Sequence, residues 1–125
     1  MVRLYAKIVG VTVILIGVVG LLLGEGSLFG VLNIDLVEDG IHLLTGGLLA
    51  YAGFAAKDLK VVRAIVGGTG IAYLVLGVIA FARPMLFGLI PSGYEVVLDN
   101  LIHLTLGALG IFVGFFLKER ETART

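Results

Sequence analysis

Apolar residues run along this chain in long blocks that show neither the two-residue alternation of a half-buried strand nor a charged stripe at helical spacing. Val11–Val19 and Ile71–Ile79 show the pattern most plainly. Such a block reads as a helix apolar on all sides, and about 20 residues at a rise of about 1.5 Å cross a hydrocarbon layer roughly 30 Å thick. Four blocks approach that length, over roughly Leu4–Leu23, Asp39–Ala56, Val61–Ala82 and Leu98–Leu117. Strands of a membrane barrel would alternate over about ten positions, so the pattern predicts four membrane-spanning helices. The charges inside the blocks, Lys7, Arg63 and Asp99, lie near an end, where long side chains reach the interface. Between blocks one and two, Ser27–Val37 is mostly Leu, Val, Ile and Phe and suits a segment lying at headgroup level. Arg83-Pro84 and Pro91-Ser92-Gly93 end the third helix and delay the fourth.

The blocks repeat. Arg3, Gly10 and Gly17 align with Arg63, Gly70 and Gly77 at an offset of 60. Leu28-Phe29-Gly30 aligns with Leu86-Phe87-Gly88 at 58, and Glu38, Asp39, Ile41, His42, Gly46 and Gly53 align with Asp99, Asn100, Ile102, His103, Gly107 and Gly114 at 61. The offsets change in the loops, where insertions are tolerated. The chain therefore reads as one all-α membrane domain over residues 1–125, with repeat one at about 1–57, repeat two at about 61–118 and a cytoplasmic tail at 119–125. Two hairpins that each cross twice keep the same orientation. They predict an up-down four-helix bundle with a pseudo-twofold axis along the membrane normal. The first block follows Arg3 and Lys7 and ends near Gly24 and Gly26, as a secretory signal would. Its length, and its recurrence as the third block, identify it as a retained helix.

Composition agrees: 59% of residues are hydrophobic, 14% are charged, and the mean hydropathy is +1.14. A soluble domain is nearer 45–50% apolar and about 25% charged. Nine basic residues balance nine acidic ones, so no net field points to nucleic acid, and the absence of Cys removes disulfides, thiolate metal sites and cysteine catalysis. The basic residues are placed unevenly. Arg3, Lys7, Lys57, Lys60, Arg63, Lys118, Arg120 and Arg124 fall on one side and only Arg83 on the other, which predicts an inner (plasma) membrane protein with both termini cytoplasmic. Glu25, Asp35, Glu38, Asp39, Glu95 and Asp99 make the opposite side acidic.

Each predicted helix carries two glycines seven residues apart: Gly10 and Gly17, Gly46 and Gly53, Gly70 and Gly77, Gly107 and Gly114. Seven residues are almost two turns, so each pair forms a stripe suited to close helix packing in lipid. The alternative use of such a stripe is room for a flat cofactor. His42 and His103 stand four and eleven residues before the glycines of their helices, which puts both rings on the seam faces near the outer ends. Glu38 and Asp39, and Asp99 and Asn100, lie three and four residues before these histidines and can fix their tautomers. Three readings compete for this group: a structural hydrogen-bonded pair, axial ligation of a tetrapyrrole, or a divalent metal held with the carboxylates. The structural reading is carried forward, with no resident cofactor or metal.

The pattern Asp39-x-x-His42-x-x-x-Gly46, repeated as Asn100-x-x-His103-x-x-x-Gly107, resembles the helix motif of an uncharacterised family of small four-helix bacterial membrane proteins. The resemblance implies an inner-membrane four-helix fold and supplies no activity. The chain has no Gly-Lys-Ser/Thr phosphate loop, no His-Glu-x-x-His helix and no Gly-x-Ser-x-Gly elbow, and Gly67-Gly68-Thr69-Gly70 lies inside an apolar helix. Tyr5, Tyr51, Tyr73 and Tyr94 read as packing or interface residues. A channel would need Thr12, Thr45, Thr69 and Thr105 to line a pore between protomers. The expectation is a non-enzymatic accessory or scaffold protein, in contact with lipid and with membrane partners or its own copies, with a tetrapyrrole protein and a small oligomeric channel as the alternatives.

Overall fold

The computed structural model describes residues 1–24, 26–28, 32–34, 36–82 and 97–119. Helix α1 spans Val2–Leu23, α2 Leu36–Phe54, α3 Leu59–Ala82 and α4 Val97–Ile111, the last continuing into a π-helical turn at Phe112–Phe116. Two three-residue strands, β1 (Gly26–Leu28) and β2 (Leu32–Ile34), form an antiparallel ribbon after α1, with Gly26 opposite Ile34 and Leu28 opposite Leu32. The segment expected to rest at headgroup level thus contains a short ribbon. The other described elements are helical.

Local chemistry fixes the helix ends. Gly24 has φ +83°, a conformation that favours glycine, and its N–H bonds the Gly20 carbonyl, which stops α1. Asp58 begins α3 by accepting the Lys60 N–H at 2.8 Å, as an N-cap does. The amides of Ala56 and Leu117 each bond back five residues, to Tyr51 at 2.9 Å and Phe112 at 2.8 Å. The Ala56 and Leu117 carbonyls then accept from the guanidiniums of Arg3 and Arg63. Arg3 also reaches the carbonyl of Lys57 at 3.0 Å, and so ties the start of α1 to the turn after α2.

Helix α1 packs mainly on α2, and α3 on α4 and its π turn. Gly10 faces Leu49 and Ala50, Gly46 faces Ile14, and Gly53 faces the Lys7 backbone. In the second pair Gly70 faces Gly110 and Ile111, Gly107 faces Leu74, and Gly114 faces Gly67. Gly67 and Gly70 therefore serve helix packing.

Val2, Ala6, Leu49, Ala52, Ala56, Val62 and Val66 form a buried apolar core at the end of the bundle marked by Arg3 and Arg63. At the other end the interior is polar. Outward-facing side chains are large and apolar, among them Leu22, Leu44, Phe54, Val78 and Phe116, the inverse of a soluble bundle. Val2–Leu23, Leu59–Phe81 and Leu98–Phe116 are each long and apolar enough to cross a membrane. Helix α2 falls outside that set, because Glu38, Asp39 and His42 occupy its first two turns.

Candidate functional site

The polar end of the interior is built by two helix starts. On α2, Glu38 and Asp39 sit in the first turn, with His42 one turn on and Thr45 three residues further along the same face. On α4, Asp99 occupies the first turn, Asn100 follows, and His103 comes one turn later. Acidic residues suit these positions because unpaired N–H groups and the helix dipole favour negative charge there. All six of Glu38, Asp39, His42, Asp99, Asn100 and His103 are buried, Asp99 completely.

The two histidines come together across the bundle with ring centroids 6.1 Å apart and planes tilted by 44°. On α4, His103 Nδ1 lies 3.7 Å from Asp99 Oδ2, too long for a hydrogen bond, and it has no hydrogen-bond partner among the described residues. Glu38 crosses from α2 to this pair. One ligand-type atom from each of Glu38, Asp99 and His103 lies within 4.8 Å of the others. The sequence placed Glu38 behind His42 on its own helix; the fold also brings it to the histidine of the other repeat. Asp39 packs on α1, where a methyl group at Gly20 would overlap its carboxylate, so Gly20 makes room for that side chain.

Tyr73 of α3 belongs to the same site, although its sequence context marked it only as packing. Its ring stacks on His103 with centroids 5.6 Å apart and planes 16° from parallel. Its hydroxyl lies 2.6 Å from Thr45 Oγ1, and Thr45 Oγ1 is also 2.7 Å from the Ile41 carbonyl. A threonine has one hydroxyl proton, and a carbonyl can only accept. Thr45 therefore donates to Ile41 and Tyr73 donates to Thr45. The signal for this pair in the sequence was weak: a tyrosine at the position matching Val13 of the first repeat, and a threonine at the position matching Leu106 of the second.

The threonines do not share a face. Thr45 and Thr69 are buried inside the protomer, whereas Thr12 and Thr105 are exposed and bond back to the carbonyls of Ile8 and Leu101. Tyr5 is half-buried and reaches the Leu106 carbonyl at 3.3 Å, and Tyr51 is exposed. Glu25, Asp35, Arg83, Tyr94, Glu95, Arg120 and Arg124, like Leu86-Phe87-Gly88 and Pro91-Ser92-Gly93, lie outside the described residues.

Chemically, the polar end brings together three carboxylates, two imidazoles, an amide, a phenol and the Thr45 hydroxyl, all buried among the helices. No protein-family model, curated protein or solved structure matches this chain.

Proposed function

We propose that the chain is a four-span integral protein of the inner (plasma) membrane, made of two like-oriented helical hairpins with both termini cytoplasmic. It acts there as a non-enzymatic accessory or scaffold component that packs with membrane partners or with further copies of itself. The observation that carries the membrane reading is the lipid-like exterior of α2 itself. Leu44 and Phe54 are about two-thirds exposed, and Leu48 and Tyr51 about half, while the charges of α2 all face inward. The N-terminal ammonium meets Glu119 Oε1 at 3.1 Å, so the two ends of the helical region share a side, as an even number of crossings requires.

The duplication reading rests on matched contacts. Gly10 with Ala50 corresponds to Gly70 with Ile111, Gly46 with Ile14 to Gly107 with Leu74, and Gly17 with Leu43 to Gly77 with Leu104, all at offsets of 60 and 61. The bonds of Arg3 and Arg63 to the Ala56 and Leu117 carbonyls correspond in the same way.

Single cysteines near Ser27 and Ser92 should react with an impermeant thiol reagent added outside intact cells, and one at Lys57 should not. Labelling at Lys57 alone would overturn the orientation. The scaffold role predicts a discrete complex larger than one protomer in native detergent extracts, and a monomer under all mild extraction conditions would count against it. A Soret band in the purified protein that disappears in a His42→Gln/His103→Gln variant would replace the scaffold reading with the tetrapyrrole one.

A further inference from the structure

The α2/α3 side and the α1/α4 side, which correspond at offsets of 60 and 61, are closed differently. Between α2 and α3 the Tyr73 ring crosses the gap and its hydroxyl bonds Thr45. Between α1 and α4 the matching positions hold Val13 and Leu106, with no ring to cross the gap and no hydroxyl to bond. What is left is an apolar groove of about 350 Å3, lined by Ile8, Val9, Val13 and Ile16 of α1 and by Ile102 and Leu106 of α4. Glycine contacts fix α1 on α2 and α4 on α3, so neither α1 nor α4 can close the gap without carrying its partner helix.

We propose that this groove binds one acyl chain of a diacyl phospholipid, a site that rests on the membrane reading above. Its dimensions select the occupant. Ile8 and Ile16 are eight residues apart, about 12 Å along the helix, so 350 Å3 over that length gives a mean cross-section of about 30 Å2. A helix with its side chains is about 10–12 Å across and needs roughly 80–110 Å2, so it cannot enter, whereas a single hydrocarbon chain can. A second copy lying across the mouth fits no better: seven described residues line the groove, against about 20–30 a side in a stable interface.

The lining chemistry agrees. Thr12 is the polar residue among the described lining, and its hydroxyl is committed to the Ile8 carbonyl at 2.7 Å. A polar group entering the groove would lose hydration and gain no partner there. Ile102 and Leu106 also form one wall of a second apolar hollow of about 280 Å3, whose other described lining residues are Leu98, Leu101 and Thr105. Two apolar hollows side by side along α4 suit the two chains of one lipid. Near the end marked by Arg3, the Tyr5 hydroxyl bridges α1 to α4 by meeting the Leu106 carbonyl at 3.3 Å. Leu98 lies in the first turn of α4, so the chains enter from the leaflet beside the polar end, whichever side of the membrane that is.

The test uses the full-length protein in nanodiscs of a diacyl phospholipid that carries a photoactivatable diazirine on one chain. Crosslinks mapped by mass spectrometry are expected to concentrate at residues 8–16 and 102–106, several-fold above Leu44 and Val75, which are exposed but line neither hollow. After mild detergent extraction from cells, a single phospholipid per chain should stay bound in native mass spectrometry. Val13→Tyr with Leu106→Thr, which supplies the ring and hydroxyl of the closed side, should cut that occupancy several-fold. Leu15→Phe, exposed on α1 outside the groove, should leave it unchanged. Crosslinks spread evenly over exposed positions, or full occupancy in the double variant, would overturn the site. So would a free fatty acid as the retained molecule, or an inter-protomer disulfide from Ile16→Cys, which would put a second copy at the groove. Should the double variant not fold, the wild-type crosslink map decides alone. Release of the chain from membranes by alkaline carbonate would defeat the membrane reading and the site together, whereas a chain that stays in the membrane and retains no lipid defeats the site alone.

Discussion

Within each hairpin the helices meet almost backbone to backbone, whereas between the hairpins they meet through side chains. A methyl group at Gly10 would lie 2.6 Å from the Ala50 nitrogen, and one at Gly70 2.6 Å from that of Ile111. The hairpin-to-hairpin contacts are of another kind: Thr45 with Tyr73 across α2 and α3, and His42 with His103. They also differ between the two sides of the bundle. The positions matching Tyr73 and Thr45 across α1 and α4 hold Val13 and Leu106, and there the helices part around an apolar groove of about 350 Å3. The glycine contacts between α1 and α2 are thus much like those between α3 and α4, and the polar side-chain contacts lie where the two helix pairs face each other. In lipid, close approach at small residues can hold a hairpin together without hydrophobic drive. That leaves the surfaces between the two helix pairs free to differ.

The largest expected effect attacks the shared part. Gly107→Ala would put its methyl group 2.5 Å from the Leu74 nitrogen, against backbone that cannot move without its helix. A loss of about 1–3 kcal/mol is expected in denaturant unfolding of the detergent-solubilised protein. Gly47→Ala meets nothing within 4 Å and should be neutral, or stabilising by up to about 1 kcal/mol. Equal effects of the two changes would remove glycine packing as the basis of the hairpins.

Next come the arginine clasps, which test how alike the two repeats are. Arg3 reaches three carbonyls, those of Ala52, Ala56 and Lys57, while among the described residues Arg63 bonds the carbonyl of Leu117. Arg3→Met should therefore cost roughly 1.5–3 kcal/mol, as hydrogen bonds to a charged group do, and Arg63→Met less. The same unfolding series would expose a reversed order, which would mean that the clasps carry little of the difference between the ends.

The seam between hairpins should show a smaller coupling. A double-mutant cycle of Thr45→Val and Tyr73→Phe is expected to give about 0.6 kcal/mol, and not more than roughly 1.7, typical of hydrogen bonds between helices in membranes. Installing the matching pair with Val13→Tyr and Leu106→Thr should make the α1/α4 side resemble the α2/α3 side. Closure would be read as reduced access of a lipid-soluble probe to a cysteine at Ile16, on the groove. Coupling near zero in the native pair would make the side-chain seam a matter of shape alone.

These contrasts show what the sequence revealed and what it withheld. Helix positions, the glycine stripes and the correspondence of Arg3 with Arg63 were legible because each depends on local spacing at 3.6 residues per turn. Burial of His42 and His103 followed from the same spacing. The crossing of Glu38 to Asp99 and His103 did not, since it depends on the relative height and rotation of α2 and α4, which no periodicity encodes. Tyr73 was missed for a related reason: its place three residues after Gly70 and four before Gly77 marks it as lying on the packing stripe, but not that Thr45 and His103 are the groups it meets. Gly20 lies outside the seven-residue pairs, and its use, accommodating Asp39, is visible only when α1 and α2 are placed together.

The smallest effect concerns the ends of the bundle, where the first repeat touches the end of the second. Glu119 accepts the Val2 N–H at 2.6 Å and meets the Met1 ammonium at 3.1 Å. The Val2 hydrogen bond foremost, with the ammonium and Arg63 adding to it, holds this carboxyl below its ordinary pKa of 4.5 in spite of partial burial. A carboxyl with a lower pKa folded than unfolded stabilises the fold when both states are ionised, above the unfolded value. That contribution falls away as the pH drops through the folded value, where both states are protonated. The clasp should therefore be present at neutral pH and weaken only below about pH 4.5. Comparing wild type with Glu119→Gln across pH isolates it, because titrations elsewhere are common to both proteins. The expected result is a small deficit in the variant's unfolding midpoint at pH 7 that shrinks to nothing in acid. A deficit that persists unchanged below the folded pKa would show that Glu119 acts by shape rather than by charge, and would remove the ion pair from the account of how the two hairpin ends are held together.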